Sequence, residues 1–172
     1  MGFIEAVKIC FSKYATFQGR ARRSEYWYFY LFIALISLIL GLWMCFSIYE
    51  LAMNYYDSGG DPGDMEAFKK KFMPLLLTRP AVIVYLIIYL ATLLPSIAAQ
   101  VRRLHDSSRT GWWALLPWIG SIFGAFGNPL LMLVSVAFTL WFYVLLCLDS
   151  SPGTNKYGPN PKGIEATAPT EI

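Results

Sequence analysis

The sequence is poor in charge and nearly lacks the residues from which catalytic and metal sites are most often built. Charged residues make up 15% of its 172 residues, and it contains one His and three Cys; soluble domains average about 25% charged residues. The three Cys are scattered without a C-x-x-C pair, which argues against a dithiol redox site or a paired-Cys metal site. We therefore expect no enzyme activity, no catalytic residue, no metal site and no cofactor.

Apolar side chains, by contrast, are in excess: 56% of the residues are hydrophobic and 17% are aromatic. A soluble chain of this length cannot bury so much apolar surface, whereas lipid can solvate it. Residues 27–48 and 81–99 contain no charge, and as helices they would be about 33 and about 28 Å long, close to the ~30 Å hydrocarbon core of a bilayer. Residues 1–25 lack the apolar run of a cleavable signal peptide, so the first membrane helix is expected to remain as an anchor.

A third charge-free tract, residues 112–148, is too long for one crossing. The turn signal Gly127-Asn128-Pro129 lies near its middle, so the tract predicts a hairpin with a short helix at about 112–126 and a full helix at about 130–148. The short arm would be about 23 Å long and contains Pro117. A re-entrant segment that does not fully cross is therefore the alternative.

The predicted fold class is an all-α integral membrane protein with a single membrane domain. An N-terminal amphipathic helix at about 3–17 suits the membrane interface or, equally, packing on the rest of the protein. Four transmembrane helices follow, the last two as the hairpin. The connecting segments are an outer segment at 49–80, a cytoplasmic loop at 100–111 and a cytoplasmic tail at 149–172.

The basic residues orient this layout. Four crossings place ten of the fourteen Lys and Arg on the side that holds residues 1–26, 100–111 and 149–172, and four on the other side. Because basic residues concentrate in cytoplasmic loops, the first side is expected to be cytoplasmic, with both ends of the chain there.

Three polar clusters border the apolar tracts, and the layout puts them on one face, where they could meet. They are residues 18–27, 100–113 and 152–161, named below the first, second and third cluster. Arg has a planar fork of donors that suits phosphate, and Trp at the edge of an apolar tract suits the interface. The combination suggests a site for anionic headgroups. The alternative is that the basic residues only set the orientation of the protein in the membrane and the Trp side chains only lie at the interface, without a specific ligand.

The candidate lipid or anion ligands are Arg20, Arg22, Arg23, Arg102, Arg103, Arg109, Trp27 and Trp112. The further members of the polar cluster are Glu25, His105, Asp106, Asn155, Lys156 and Tyr157. One His and one Asp are too few ligands for a metal. The i,i+4 spacing of Arg102 and Asp106 predicts a local salt bridge that ends a helix, with pH sensing or proton transfer at His105 as the alternative.

The apolar stretch Gly120-Ser121-Ile122-Phe123-Gly124 is a G-x-x-x-G pattern. Glycines at this spacing permit close helix contact, either within the chain or between subunits.

Taken together, the clusters resemble a bacterial inner-membrane family called domain of unknown function 805. The matching stretches are FQGRARRSEYW at 17–27, RRLHD at 102–106, GWW at 111–113 and PGTNKYGP at 152–159. They occur in the family's order and at membrane boundaries. The resemblance implies a small multi-pass protein of the bacterial plasma membrane and supplies no activity. The outer segment looks longer than the family's usual form, so the resemblance assigns it no role.

These observations predict a non-enzymatic membrane module whose cytoplasmic Arg, Trp and His-Asp surface binds anionic lipid headgroups or an acidic partner. The alternative is a small-solute transporter or channel, which Pro and Gly breaks in membrane helices favour. Membrane lipids are the expected partners, and a homo-oligomer is compatible with the sequence. Neither nucleic acid nor a small-molecule substrate is indicated.

Overall fold

The computed structural model describes residues 1–61 and 63–163, and the regular elements within those ranges are helical. In chain order they are α1 (Phe3–Ser12), α2 (Arg23–Asp57), α3 (Met65–Leu77), α4 (Pro80–Asp106), a 3-10 helix (Gly111–Leu115), α5 (Leu116–Ala125) and α6 (Pro129–Cys147). The all-α class that the apolar tracts predicted is confirmed.

Three helices of the described chain, α2, α4 and α6, are long and apolar enough to cross a bilayer. Their most apolar windows have mean hydropathies of 2.5, 2.3 and 2.4. Helix α5 has 10 residues, or about 15 Å, and the 3-10 helix before it adds about 10 Å. The fourth predicted crossing therefore depends on this short arm.

Two of the helices extend beyond the charge-free tracts. Helix α2 begins at Arg23 and ends at Asp57, while the tract covers residues 27–48. Helix α4 continues to Asp106, through residues 100–106 of the predicted loop, because the charged side chains of its last turns have partners of opposite charge. Helix α1 instead ends at Ser12, before the predicted end at residue 17.

One compact unit comprises Met1–Tyr30 together with the described chain from Leu94 to Gly163. Helix α1 packs in it through Ala6 and Cys10, which are fully buried. Phe11 of α1 meets Phe29 of α2 edge-on, with ring centroids 5.6 Å apart. The side chain of Ile4 remains exposed. One face of α1 thus packs on the start of α2, which is one of the two arrangements that the sequence left open.

Helices α5 and α6 of this unit form a hairpin around Gly127, whose φ is +67°. The side chain of Asn128 caps α6 by accepting a hydrogen bond from the Leu130 backbone N–H, at 2.9 Å. Gly120 of α5 is buried against α6, where a Cβ would lie 3.2 Å from the Ser135 carbonyl oxygen. The G-x-x-x-G pattern thus has a close helix contact within the chain.

The second compact unit is Leu31–Leu93 and contains α3. Asp64 caps α3 by accepting a hydrogen bond from the Ala67 backbone N–H at 2.9 Å. The helix continues through Pro74 to Leu77. On α3, Phe68 stacks on Phe72 with ring centroids 4.7 Å apart.

Candidate functional site

The three polar clusters meet in the first compact unit, and we call their assembly, with Lys13 and residues 148–151, the polar cap. Its centre is Asp106, the last residue of α4, which is fully buried. Arg20 of the first cluster lies 3.0 Å from Oδ1 of Asp106. Arg103 lies 2.5 Å from Oδ2, which also accepts a hydrogen bond from Ser150 Oγ at 2.6 Å. Two buried guanidinium groups therefore share one buried carboxylate.

Arg20 connects the first cluster to the third as well as to the second. Its Nη1 donates to the Gly153 and Gly158 carbonyls at 2.8 and 3.3 Å. Its Nη2 donates to the carbonyls of Asp106 and Ser151 at 3.3 and 2.7 Å. With the bond from Nε to Asp106, all five N–H groups of this guanidinium are used. Arg20 thus joins three segments and has no N–H left for a ligand.

A second buried ion pair joins Arg102 to Glu25, with Nη2 and Oε1 3.1 Å apart. Nη1 of Arg102 also donates to the carbonyls of Lys13 and Thr16 at 3.1 and 2.8 Å, which connects α4 to the segment after α1. Cys10 Sγ lies 3.9 Å from Nη2. Burial, with the negative charge of Glu25, raises the pKa of the Cys10 thiol to about 11.

The local salt bridge between Arg102 and Asp106 predicted from their spacing is wrong. Asp106 instead pairs with Arg103 at i,i+3 and with Arg20, while Arg102 pairs with Glu25. The physical reason is that both carboxylates face several segments of the fold at once. Spacing along one helix describes only the neighbours on that helix.

His105 connects the second cluster to the other two. Its ring stacks on Tyr157, with centroids 3.7 Å apart and an interplanar angle of 5°, and Nδ1 lies 3.3 Å from the Gly19 carbonyl. Asn155 Nδ2 donates to the His105 carbonyl at 2.9 Å. A Cβ on Gly111 would lie 2.8 Å from Val101 and 3.5 Å from the His105 ring, so a residue without a side chain allows this close approach.

The candidate ligands from the sequence fall into a buried and an accessible group. The buried group is Arg20, Arg102 and Arg103. Arg22, Arg109 and Trp27 are half-buried, and Trp27 stacks on Tyr143 with centroids 6.4 Å apart. Arg23 and Trp112 are exposed, as is Lys156, whose ammonium lies 5.0 Å above the Tyr157 ring. The accessible group is the one that can reach a bound molecule.

A cavity of about 280 Å³ opens in the polar cap between α1, the start of α2 and the third cluster. The residues around it are Met1, Glu5, Ile9, Lys13, Arg20, Arg22, Glu25 and Pro161. Arg22 donates from Nε to the Pro161 carbonyl. Within the described part of the chain, its Nη1 and Nη2 make no hydrogen bond. The guanidinium of Arg22 therefore has two N–H₂ groups beside the cavity that can donate to a ligand.

Sequence reasoning missed three residues of the polar cap: Lys13, Asp149 and Ser150. Asp149 is exposed and accepts from Lys162, and this hydrogen bond is the main cause that lowers the pKa of its carboxyl to about 2. Asp149 and Ser150 directly follow the last apolar tract, as the other polar clusters border theirs, and that position was the available signal. Among the described residues, no group of three His, Cys, Asp or Glu side chains could hold a metal ion.

Comparison with known proteins finds membrane proteins whose names give no activity. The "Inner membrane protein YhaH" of Escherichia coli (strain K12) is 32% identical over 154 residues, which cover 87% of this chain and 89% of that protein. The "Inner membrane protein YhaI" of the same organism is 30% identical over 152 residues, which cover 87% and 88%. No solved structure matches the chain.

The family described as "Protein of unknown function (DUF805)" matches residues 14–159. That range includes the buried ion pairs, the His105–Tyr157 stack and the candidate spans α2, α4 and α6. The chain therefore belongs to the DUF805 family of membrane proteins.

Proposed function

We propose that the polar cap is a non-enzymatic binding module on the cytoplasmic face of the membrane, and that it binds the phosphate of an anionic lipid headgroup. The single observation that carries the proposal is the cavity of about 280 Å³ beside Lys13 and Arg22. Planar guanidinium forks and phosphate oxygens match in geometry and charge. Basic pockets next to transmembrane helices bind headgroups in this way.

The cations around the cavity outnumber its unpaired carboxylates, because one of its two carboxylates is held in an ion pair. Glu25 pairs with Arg102 at 3.1 Å. Glu5 accepts a hydrogen bond from the Gly2 backbone N–H at 3.1 Å. The ammonium of Lys13 is exposed, and the two Nη atoms of Arg22 have no hydrogen-bond partner in the described part of the chain. Two cations thus border a space large enough for a phosphate group.

The buried arginines have a different role in this proposal. Arg20, Arg102 and Arg103 hold the segments in place, so they position the cavity without touching the lipid. Substituting one of them would remove binding by unfolding the polar cap. Ligand contact is tested at the cavity residues alone.

Native mass spectrometry of the full chain from mild detergent tests the proposal, with added phosphatidylglycerol as the probe and phosphatidylcholine as the neutral comparison. The Lys13→Gln, Arg22→Gln double variant should lower phosphatidylglycerol occupancy by roughly tenfold or more for each cation that is removed. The control is Lys8→Gln with Arg79→Gln, which removes one Lys and one Arg charge at positions outside the polar cap. Equal occupancy in the two double variants would contradict the proposal.

The orientation and the number of crossings belong to the same proposal: four crossings, with the polar cap in the cytoplasm and the exposed face of α1 at the membrane interface. The contacts of Arg20 with Asp106 and Ser151 support an even number of crossings between these segments. Helix α6 is long enough to cross, so the short arm before it has to bring the chain across or re-enter.

Cysteine labelling in intact cells separates these alternatives. In a background with Cys45 and Cys147 replaced by Ser, Phe126→Cys lies at the tip of the α5–α6 hairpin, and Asp149→Cys lies in the polar cap. A membrane-impermeant maleimide should label position 126 from outside and leave position 149 unlabelled. Label at 149, or none at 126, would overturn the four-crossing layout.

A further inference from the structure

The side chains of α3, in the second compact unit, are sorted along the helix axis. Its first half carries four exposed charged side chains: Glu66, Lys69, Lys70 and Lys71. Its second half is apolar, and large parts of three side chains there are exposed: Met73, Leu75 and Leu77. One end of this helix suits water and phosphate, and the other suits hydrocarbon.

One face of α3 is occupied by the end of α2 in the same unit. Phe68 meets Tyr55 edge-on with centroids 5.1 Å apart. The ammonium of Lys71 lies 5.5 Å from the Tyr55 ring centroid and 3.2 Å from Ser58 Oγ. Lys71 therefore belongs to this internal contact.

A different stripe of α3 faces away from that contact. The spacings of four, three and four residues put its members on one side of the helix: Glu66, Lys70, Met73 and Leu77. Lys69 forms an ion pair with Glu66, in which Nζ and Oε1 are 3.2 Å apart. Lys70 makes no hydrogen bond or ion pair within the described ranges. This stripe has charge at one end and exposed apolar side chains at the other, and the described part of the chain leaves it uncovered.

The position of α3 in the chain indicates what this stripe contacts. Only Thr78 and Arg79 separate its last residue from Pro80, where the candidate span α4 begins. Lys70 precedes Leu77 by seven residues, or about 10 Å of helix. The headgroup layer of one leaflet is roughly 5–8 Å thick. With Leu77 at the hydrocarbon boundary, the Lys70 backbone lies just outside the headgroup layer, and its flexible side chain can bend back to the level of the lipid phosphates.

We propose that α3 is a second membrane contact of this protein, independent of the polar cap. Its C-terminal turns insert Met73 and Leu77 at the acyl boundary, and Lys69 and Lys70 bind the phosphates of anionic phospholipids. The occupant of the stripe is the bilayer that α2 and α4 already enter. Continuity with those helices and charge complementarity favour lipid over a protein partner.

Site-specific fluorescence of the full chain in nanodiscs tests this inference. In a background with Cys45 and Cys147 replaced by Ser, an environment-sensitive dye is attached at Glu66→Cys, Met73→Cys or Leu77→Cys. Cys10 is buried and is not labelled in the folded protein. Discs of phosphatidylcholine are compared with discs that also contain phosphatidylglycerol, and iodide quenching reports access from water.

The dye at positions 73 and 77 should be shielded from iodide in discs with phosphatidylglycerol, while the dye at 66 remains accessible. Replacing Lys69 and Lys70 by Gln should lower the ratio of docked to undocked α3 by roughly fivefold per lysine. The matched control is Lys8→Gln with Lys162→Gln, which should leave the ratio unchanged. Circular dichroism checks that each variant is still helical.

Two outcomes would overturn the inference. Equal iodide access at positions 66 and 77 in discs with anionic lipid would place the stripe in water. Shielding at position 77 that requires two copies per disc would mean that a second copy of the chain covers α3 instead of lipid.

Discussion

Replacing Asp106 by Asn should open the polar cap. The substitution keeps the shape of the side chain and removes the charge that faces both Arg20 and Arg103, at 3.0 and 2.5 Å. Both guanidinium groups would then be buried without their carboxylate. The effect spreads from there, because the N–H of Ala21, next to Arg20, donates to the Arg102 carbonyl at 3.0 Å. Arg102 in turn contacts Cys10, with Nη2 3.9 Å from Sγ.

The expected magnitude follows from the burial of this network. Removing one partner of a buried ion pair costs about 3–5 kcal/mol, since it leaves an uncompensated charge in the interior. If the polar cap must open before Cys10 can react, the same free energy multiplies its alkylation rate by roughly 100–4,000. An exposed helical ion pair contributes only about 0.3–0.5 kcal/mol, or roughly twofold.

Cys10 is the natural reporter because it is fully buried and 3.9 Å from Arg102. With Cys45 and Cys147 replaced by Ser, the rate of maleimide labelling in detergent at pH 8 measures opening directly. The matched control is Glu66→Gln, the same carboxylate-to-amide change in the exposed pair with Lys69. If Asp106→Asn accelerates labelling no more than Glu66→Gln does, the buried carboxylate does not hold the polar cap together.

Gly120→Ala should destabilise the α5–α6 contact by about 1–3 kcal/mol, since the new Cβ meets a carbonyl at 3.2 Å. A Cβ added at Gly41 would have nothing within 4 Å, so Gly41→Ala should stabilise α2 by up to about 1 kcal/mol. Unfolding in mixed detergent measures both variants, and equal changes in their stability would contradict the close contact at Gly120. Tyr157→Ala should remove about 0.5–1.5 kcal/mol of stacking on His105 in addition to the effect of reduced burial, and Tyr157→Phe should restore it in the same assay. Alkylation of Cys10 should rise with pH through about 11, its raised pKa, because the thiolate reacts and burial disfavours it; a rate that levels off near pH 9 would show a solvated thiol.

Much of the architecture follows from charge-free lengths, because lipid leaves a helical chain few alternatives. The ends of the charge-free tracts mark where the helices meet water, and these ends are bordered by residues 18–27, 100–113 and 152–161. The meeting of these clusters was predictable for that reason. The continuation of α4 to Asp106 was not, because it depends on distant side chains that neutralise its last two turns.

The pairing within the polar cap also joins residues that are far apart in the chain, and their proximity in space cannot be read from the sequence. Glu25 reaches Arg102 across 77 residues, and Arg20 reaches Asp106 across 86. Local spacing therefore suggested the wrong partner for Asp106. The accessible role of Arg22 and the internal role of Arg20 are likewise invisible in sequence, since both are arginines two positions apart.

The bonds from Arg20 to distant carbonyls also determine when this protein can finish folding. Its acceptor Ser151 comes 131 residues later, and at a synthesis rate of roughly 5–20 residues per second that interval lasts about 7–26 s. During this time the membrane helices between them emerge, while the Arg20 guanidinium waits in water or among headgroups. The polar cap therefore cannot close before Ser151 has been synthesised. A chain that ends before Ser151 would be left with donors that have no acceptor, and a protease could distinguish it from the complete protein.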